Sequence, residues 1–164
     1  MGWLAGNRIT AERLRDNAQN TVSYDSLTTN SGTFTTTETI VLTTQTVEFR
    51  NDRAYRVSIR LLANSSVAGD RLTVRVRETD ATGTAYIDQE VIYLPTTGNQ
   101  PTNAAQIVAN ATGSDINQVL VLTGQRISGT GNITIAASTN NVAYIQVEDI
   151  GDASDYPGAR AVTV

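Results

Sequence analysis

The chain has 164 residues, 40% of them hydrophobic, which is enough for one domain of ordinary size with a buried core. It has no cysteine and no histidine, which removes disulfide staples, thiolate chemistry and the commonest general base and metal ligand. A net charge of -4, a sequence pI near 4.7 and only 6 Tyr, 2 Phe and 1 Trp argue against a nucleic-acid interface, which needs a positive surface interleaved with aromatics.

Residues 1–20 do not read as a signal peptide, because Trp3, Leu4 and Ala5 are followed at once by Gly6, Asn7 and Arg8. No apolar run anywhere in the chain is long enough to span a membrane. Thr10 suits the N-cap of a short helix over 11–19, with Glu12 near the positive end of its dipole and Ala11, Leu14 and Ala18 on one narrow stripe. Such a short helix needs something to dock on, either its own domain or, as an arm, a partner. As an arm it would offer Trp3, Leu4, Ile9 and Leu14.

Residues 21–49 are dominated by threonine, whose β-branching suits a pleated surface. Val22 and Tyr24 alternate as one strand, and 40–42 and 47–49 mark two more. No fixed Thr-x-Thr repeat runs through the segment, so it reads as surface strand rather than a sugar- or ice-binding ladder.

The clearest strands lie in 54–94. Tyr55, Val57, Ile59 and Leu61 alternate with Arg56, Ser58, Arg60 and Leu62, and Leu72, Val74 and Val76 alternate with Arg71, Thr73, Arg75 and Arg77. The intervening Asn, Ser and Gly of 64–70 predict a hairpin. A third strand over 86–94 is expected to place Ile87, Val91 and Tyr93 on the core side, with Asp88 and Glu90 opposite Arg75 or Arg77.

Beyond it, PTTGNQP (95–101) reads as a loop, since two prolines and a glycine interrupt a regular strand. Residues 104–109 suggest a weak strand or a helical turn, 117–122 a mixed apolar run, 124–131 a turn leading into Ile133 and Ile135, and 142–150 a strand. The tail over 152–164 reads as extended and ordered by contact with another chain. Eight or so short strands with regular turn signals predict an all-β fold, an antiparallel jelly-roll-like β-sandwich with a short N-terminal helical arm. An immunoglobulin-like sandwich fits the same strand count. The expected organisation is an arm (1–20), a β-sandwich (21–151) and an extended tail (152–164).

Chemistry is sparse. There is no dinucleotide fingerprint, P-loop, nucleophile elbow, zinc-protease motif or EF-hand loop, and without His or Cys no catalytic constellation suggests itself. Charge is segregated: residues 1–49 carry three Arg against five acids, 50–78 seven against three, and 79–164 two against eight, giving -2, +4 and -6. The Arg-rich part reads either as a solvated face with cross-strand ion pairs or as a basic patch meeting the acidic patch of a second copy. In the second reading Arg56, Arg60, Arg75, Arg77, Asp88 and Glu90 are the inter-subunit contacts.

The opening GWLAGNRITAERL (2–14) resembles the N-terminal signature of small virion proteins of tailed phages that infect actinobacteria. NDRAYRVSIRLLA (51–63) with GDRLTVRVRE (69–78) resembles the central hairpin of their β domains, and YIQVEDIG (144–151) their closing strand. All 12 basic residues are Arg and none is Lys, a bias of GC-rich coding that suits such a host. The resemblance implies a jelly-roll sandwich, often trimeric, with roles spread over capsid decoration, head fibres and minor tail proteins. Lacking coiled-coil heptads, a collagen-like repeat or a second domain, this chain suits decoration better than a fibre. The expectation is a non-enzymatic, cofactor-free virion protein, a homotrimer bound through its arm to the major capsid protein. It would be made in the host cytoplasm and sit on the capsid surface, with no nucleic-acid or membrane partner. A minor tail or tail-tip protein is the alternative. A glycan-binding module is the rival from another class, and exposed tyrosine among Tyr86, Tyr93 and Tyr156 would be its sign.

Overall fold

The computed structural model describes residues 20–163. The expected arm helix over 11–19 and the anchors Trp3, Leu4, Ile9 and Leu14 lie outside them. In chain order the strands are β1 (Asn20–Leu27), β2 (Thr39–Thr43), β3 (Val47–Phe49), β4 (Arg53–Ser65), β5 (Asp70–Glu78), β6 (Ala85–Leu94), β7 (Gly98–Asn110), β8 (Ile116–Gln118), β9 (Leu120–Ser128), β10 (Ile133–Ala136), β11 (Ala143–Asp152) and β12 (Arg160–Ala161).

Eight of these build two sheets, β1-β11-β4-β7 and β2-β9-β5-β6, antiparallel throughout. Consecutive long strands therefore alternate between sheets, except for the β5–β6 hairpin. This interleaving of two Greek keys is the jelly roll. It settles the topology that strand count left open, because an immunoglobulin sandwich orders its strands differently. β3 and β8 form a small ribbon at one end, and β12 adds a parallel pair on β7 at Val108 and Ala109.

The alternations read from β4 and β5 set the core. Tyr55, Val57, Ile59 and Leu61 are buried against Leu72, Val74 and Val76, while Arg56 and Arg60 point outward. One end of the sandwich is filled by edge-to-face aromatics, Phe49 with Tyr55 at 4.9 Å and with Tyr86 at 5.9 Å between centroids. Phe34, bridged to Ile133, plugs the other.

Five readings of the sequence are corrected, the first being 124–131, expected as a turn, of which residues up to Ser128 continue β9. β4 and β5 are not a hairpin: both flanks of β4 are taken, by β11 and β10 on one side and β7 on the other, so the chain crosses to the opposite sheet. Alternation cannot distinguish that crossing from a hairpin, because it reports faces and not neighbours. The phase of β6 shifts: Val74 faces Glu90 but Val76 faces Ile87, a bulge in which Arg75 alone opposes two residues. Ile92 and Leu94 are consequently buried with Ile87, and a second register shift, between Val76 and Arg77, lets Tyr86 be buried as well, whereas Val91 and Tyr93 are 48% and 55% exposed. Residues 98–101, expected in a loop, open the 13-residue β7. Pro101 is tolerated there because β12 reaches only Val108 and Ala109, leaving that stretch of β7 a sheet edge where no N–H is needed.

The tail, finally, is ordered by its own sandwich. The Asp152 carboxylate accepts from the Ser154 N–H at the start of the 3-10 turn Ala153–Asp155. Val162 is buried, with its N–H donating to the Ala109 carbonyl at 2.9 Å. The Thr163 hydroxyl donates to Glu78 Oε2 at 2.6 Å. No helix among the described residues is long and apolar enough to cross a membrane.

Candidate functional site

Most polar groups of the interior are committed to one another, with Thr73 Oγ1 and Arg126 Nε buried without a hydrogen-bond partner among the described residues. Arg53 chelates Asp149 at 2.6–3.1 Å between β4 and β11. At the ribbon end, Glu78 accepts from Gln118 Nε2 at 3.1 Å as well as from Thr163, and the Tyr86 hydroxyl donates to Gln118 Oε1 at 2.5 Å. Burial, together with the Glu78 charge, pushes the Tyr86 phenol well up, so it stays protonated. Tyr55, whose oxygen accepts from the Arg50 N–H at 2.6 Å, is pushed up to about 12, chiefly by burial.

At the opposite end Asp70, 1% exposed, ties two crossings together. Its Oδ2 accepts from Ser65 Oγ at 2.5 Å and from the Gly131 N–H at 3.1 Å, and its Oδ1 from the Thr130 N–H at 3.1 Å. The Ser65 hydrogen bond, helped by the two N–H groups and the Arg126 charge, holds the carboxyl below the usual range against the opposing effect of burial. The loop can come this close only as glycine: a Cβ at Gly129 would stand 1.7 Å from Oδ1, and one at Gly131 2.2 Å from Oδ2. Among the described residues no group of three or more acids is placed to hold a metal ion. These clusters are structural, and what the molecule can do by contact lies on its two outer faces.

On the outer face of the β2-β9-β5-β6 sheet, Glu38 collects Arg75 at 3.0 Å, Arg77 at 2.8 Å and the Thr123 hydroxyl at 2.5 Å. Burial raises this carboxyl, but the Arg77 and Thr123 hydrogen bonds and the two guanidinium charges outweigh it, and its pKa is lowered. Arg75 also lies 3.7 Å from Asp88. The structure thus gathers Arg75, Arg77 and Asp88 within one chain, while Glu90 faces Val74 outside the cluster. Glu38 was missed in the sequence; its one signal is being the only acid in the Thr-rich run 35–46. Beyond the cluster, Tyr93 and Val91 are exposed, with the Arg71 guanidinium 5.6 Å from the Tyr93 ring centre.

Arg56 and Arg60 stand on the opposite outer face, since β4 belongs to the other sheet. Arg56 lies 3.6 Å from Glu148, and Arg60 Nη2 donates to Asn141 Oδ1 at 3.3 Å. The Arg-rich segment is therefore split between two faces and makes no single basic patch. On this face Tyr24, 50% exposed, packs on Tyr144 at 5.2 Å. Of the three tyrosines singled out in the sequence, Tyr86 is buried, Tyr156 half-buried and Tyr93 exposed.

The same face carries a groove of about 350 Å³. β10 and β11 pair with one side of β4, Ala136 with Leu62 and Tyr144 with Arg60, so residues 137–142 leave the sheet as an excursion between them. Ser138 and Asn141 close it with reciprocal backbone bonds of 3.0 and 3.1 Å, and the Ala137 N–H donates to Asn30 Oδ1 at 3.0 Å. The groove between this excursion and β7 is lined by Asn30, Leu62, Asn64, Asn99, Thr134 and Asn141, none of them charged. A wider recess of about 600 Å³, between the tail and Asp52, is lined by five alanines together with Asp52, Asp152, Ser154, Tyr156 and Pro157.

No protein-family model matches the chain, and no curated protein matches it in sequence. Among solved structures it is similar in fold to VP2 of the infectious bursal disease virus subviral particle, with a TM-score of 0.52 and 13% identity over 88% of this chain and 35% of that one. The chain thus spans about a third of that chain's length. It also aligns with the infectious bursal disease virus Gx strain at TM-score 0.43 and 14% identity (87% and 33% of the two chains). The CBM22-1 xylan-binding domain of Paenibacillus barcinonensis Xyn10C aligns at TM-score 0.38 and 10% identity (82% and 97%). The first is a likeness of fold; the other two carry no argument.

Proposed function

We propose that this protein is a structural component of a virion of a tailed phage that infects actinobacteria, and that it decorates the capsid as a trimer bound to the major capsid lattice. The observation that carries this reading is the strand order, a complete jelly roll whose fold is shared with VP2 of a subviral particle. The physical character of the chain agrees. Its interior is closed and its buried charges are paired internally, so its chemistry is that of contact surfaces rather than of a reaction centre.

Tyr93, Val91, Ile40 and Ile127 stay exposed on or beside the second sheet, Tyr93 with the Arg71 guanidinium against its ring. Aromatic, aliphatic and Arg side chains of this kind are enriched at the cores of protein interfaces. The proposed anchors Trp3, Leu4, Ile9 and Leu14 precede β1, an edge strand of the first sheet. Repetition on a lattice multiplies contacts that are weak singly. Catalysis, a cofactor, nucleic acid and membrane have no part in this role.

Quantitative mass spectrometry of purified particles tests it. Decoration requires a ratio to the major capsid protein of about one where a trimer fills every three-fold site, or about one third where trimers fill one such site in three. A few copies per particle would place the protein at the tail or a vertex, and absence from particles would end the virion reading. Deleting residues 1–19 is expected to abolish capsid binding while leaving the sandwich folded; saturation of bare capsids by the truncated protein would refute the arm.

A further inference from the structure

We infer that the groove between β7, β4 and the 137–142 excursion is a binding site for a neutral carbohydrate. The inference stands on the groove alone and does not rest on the virion reading. Its floor consists of two adjacent cross-strand rows. One is polar: Asn99 pairs with Asn64, which pairs with Thr134. The next is apolar: Pro101 pairs with Leu62, which pairs with Ala136. Side chains in a row repeat at the inter-strand spacing of about 4.8 Å, so a line of hydrogen-bonding groups runs beside a line of aliphatic ones. A sugar ring has the same division, hydroxyls around its edge and C–H groups on its face.

The polar groups are also preset. The Arg60 guanidinium and the Ala137 N–H can only donate, so the amide oxygens of Asn141 and Asn30 must face them, at 3.3 and 3.0 Å. That turns both NH2 groups away from their anchors. The Asn64 and Asn99 amides bond each other at 2.9 Å, and whichever donates, one NH2 and one carbonyl oxygen of the pair remain uncommitted. The groove therefore offers three amide NH2 groups, one amide oxygen and the Thr134 and Ser138 hydroxyls, donors and acceptors together, as vicinal hydroxyls require. No charged side chain lines it, and the one guanidinium beside it, Arg60, is outside the lining and turned onto Asn141, so a carboxylate or sulfate would be desolvated without a direct ion partner, which selects a neutral ligand. Open on one side and without a stacking aromatic, a single groove should bind with a Kd of roughly millimolar order.

The test is an NMR titration of the ¹⁵N-labelled full chain with methyl glycosides of glucose, galactose, mannose and N-acetylglucosamine, and with methyl glucuronide as the charged control. At least one neutral glycoside should produce saturable shifts at the Asn64 and Asn99 side-chain amides and in the 137–142 backbone. Asn99→Ala should weaken that binding about tenfold. Because Asn99 is exposed, its variant is expected to keep the wild-type spectrum elsewhere, and Ala136→Trp, which fills the groove, should abolish binding independently. Tyr93→Ala, on the other sheet, should leave binding unchanged. The inference is overturned if no neutral glycoside shifts the groove resonances saturably, if the glucuronide binds more tightly than all of them, or if binding is lost in Tyr93→Ala and kept in Asn99→Ala.

Discussion

Asp70→Asn should be the most damaging conservative substitution at the crossing end. The carboxylate accepts three hydrogen bonds, two on Oδ2 and one on Oδ1. An asparagine in the same pose could keep its oxygen toward Thr130 and donate its NH2 to Ser65 Oγ, but that NH2 would then meet the Gly131 N–H donor to donor. Hydrogen bonds to a charged group contribute about 1.5–3 kcal/mol against about 0.5–1.5 for neutral ones, and a buried donor left unpaired costs about 1–3. Weakening two bonds and losing the third amounts to roughly 2–4 kcal/mol. The sign of the pH dependence follows from the lowered carboxyl. Its stabilisation is complete above the ordinary value of 3.8 and is lost as the pH falls through the lower folded value. Urea denaturation followed by far-UV circular dichroism, from about pH 7 downward, should show a gap between wild type and variant that holds near neutrality and closes only in strong acid. A gap below about 0.5 kcal/mol at neutral pH, or one that persists unchanged into strong acid, would refute the latch.

Three further substitutions probe other parts of the argument. Val162→Ala should cost about 1–2.5 kcal/mol in urea melts and speed amide exchange at residues 160–163 while leaving β4 protected; unchanged exchange there would mean the tail is not held by this contact. Gly124→Ala places a Cβ 2.3 Å from the Phe34 ring and should cost about 1–3 kcal/mol, partly recovered with Phe34→Leu; full additivity of the pair would show that the ring is not what collides. Glu38→Ala strips Arg75 and Arg77 of their shared carboxylate and should cost about 1–3 kcal/mol at neutral pH. Its lowered carboxyl puts the loss of that stabilisation below the ordinary value of 4.5, so thermal melts of wild type and variant should converge there; a constant difference in melting temperature across that range would exclude the pairing as its source.

The faces of β4 and β5 were legible because alternation is a local property: each buried apolar residue from Tyr55 to Val76 can be read from its own strand, whereas Thr73 and Arg75, buried on the other face, cannot. Neighbour identity is not local. Nothing in residues 64–70 says that β4 already has both edges occupied by strands that follow it by forty to ninety residues, and the jelly roll is defined by those partners. The phase of β6 failed for a related reason. Its bulge is set by how it pairs with β5, and a one-residue shift turns Val91 and Tyr93 from core to surface. Pro101 misled in the other direction, since a proline excludes a central strand but not the uncovered half of an edge strand.

The candidate surfaces were less legible than the core because each is assembled across strands. Arg75 and Arg77 could be paired on paper with Asp88, which does approach Arg75, but their principal partner is Glu38, thirty-seven and thirty-nine residues earlier on a segment read as filler. The groove shows the same limit more sharply. Asn30, Asn64, Asn99 and Asn141 lie in four different segments, and in the sequence each is an ordinary turn or surface residue. They converge because β10 and β11 are two parts of one strand line along β4, so residues 137–142 must leave the sheet, and they leave it beside the one polar row that β7, β4 and β10 share. If that row is the reason the strand is broken there, shortening the excursion so that β10 runs directly into β11 should yield a folded sandwich in which the Asn64 and Asn99 amides no longer respond to any neutral glycoside.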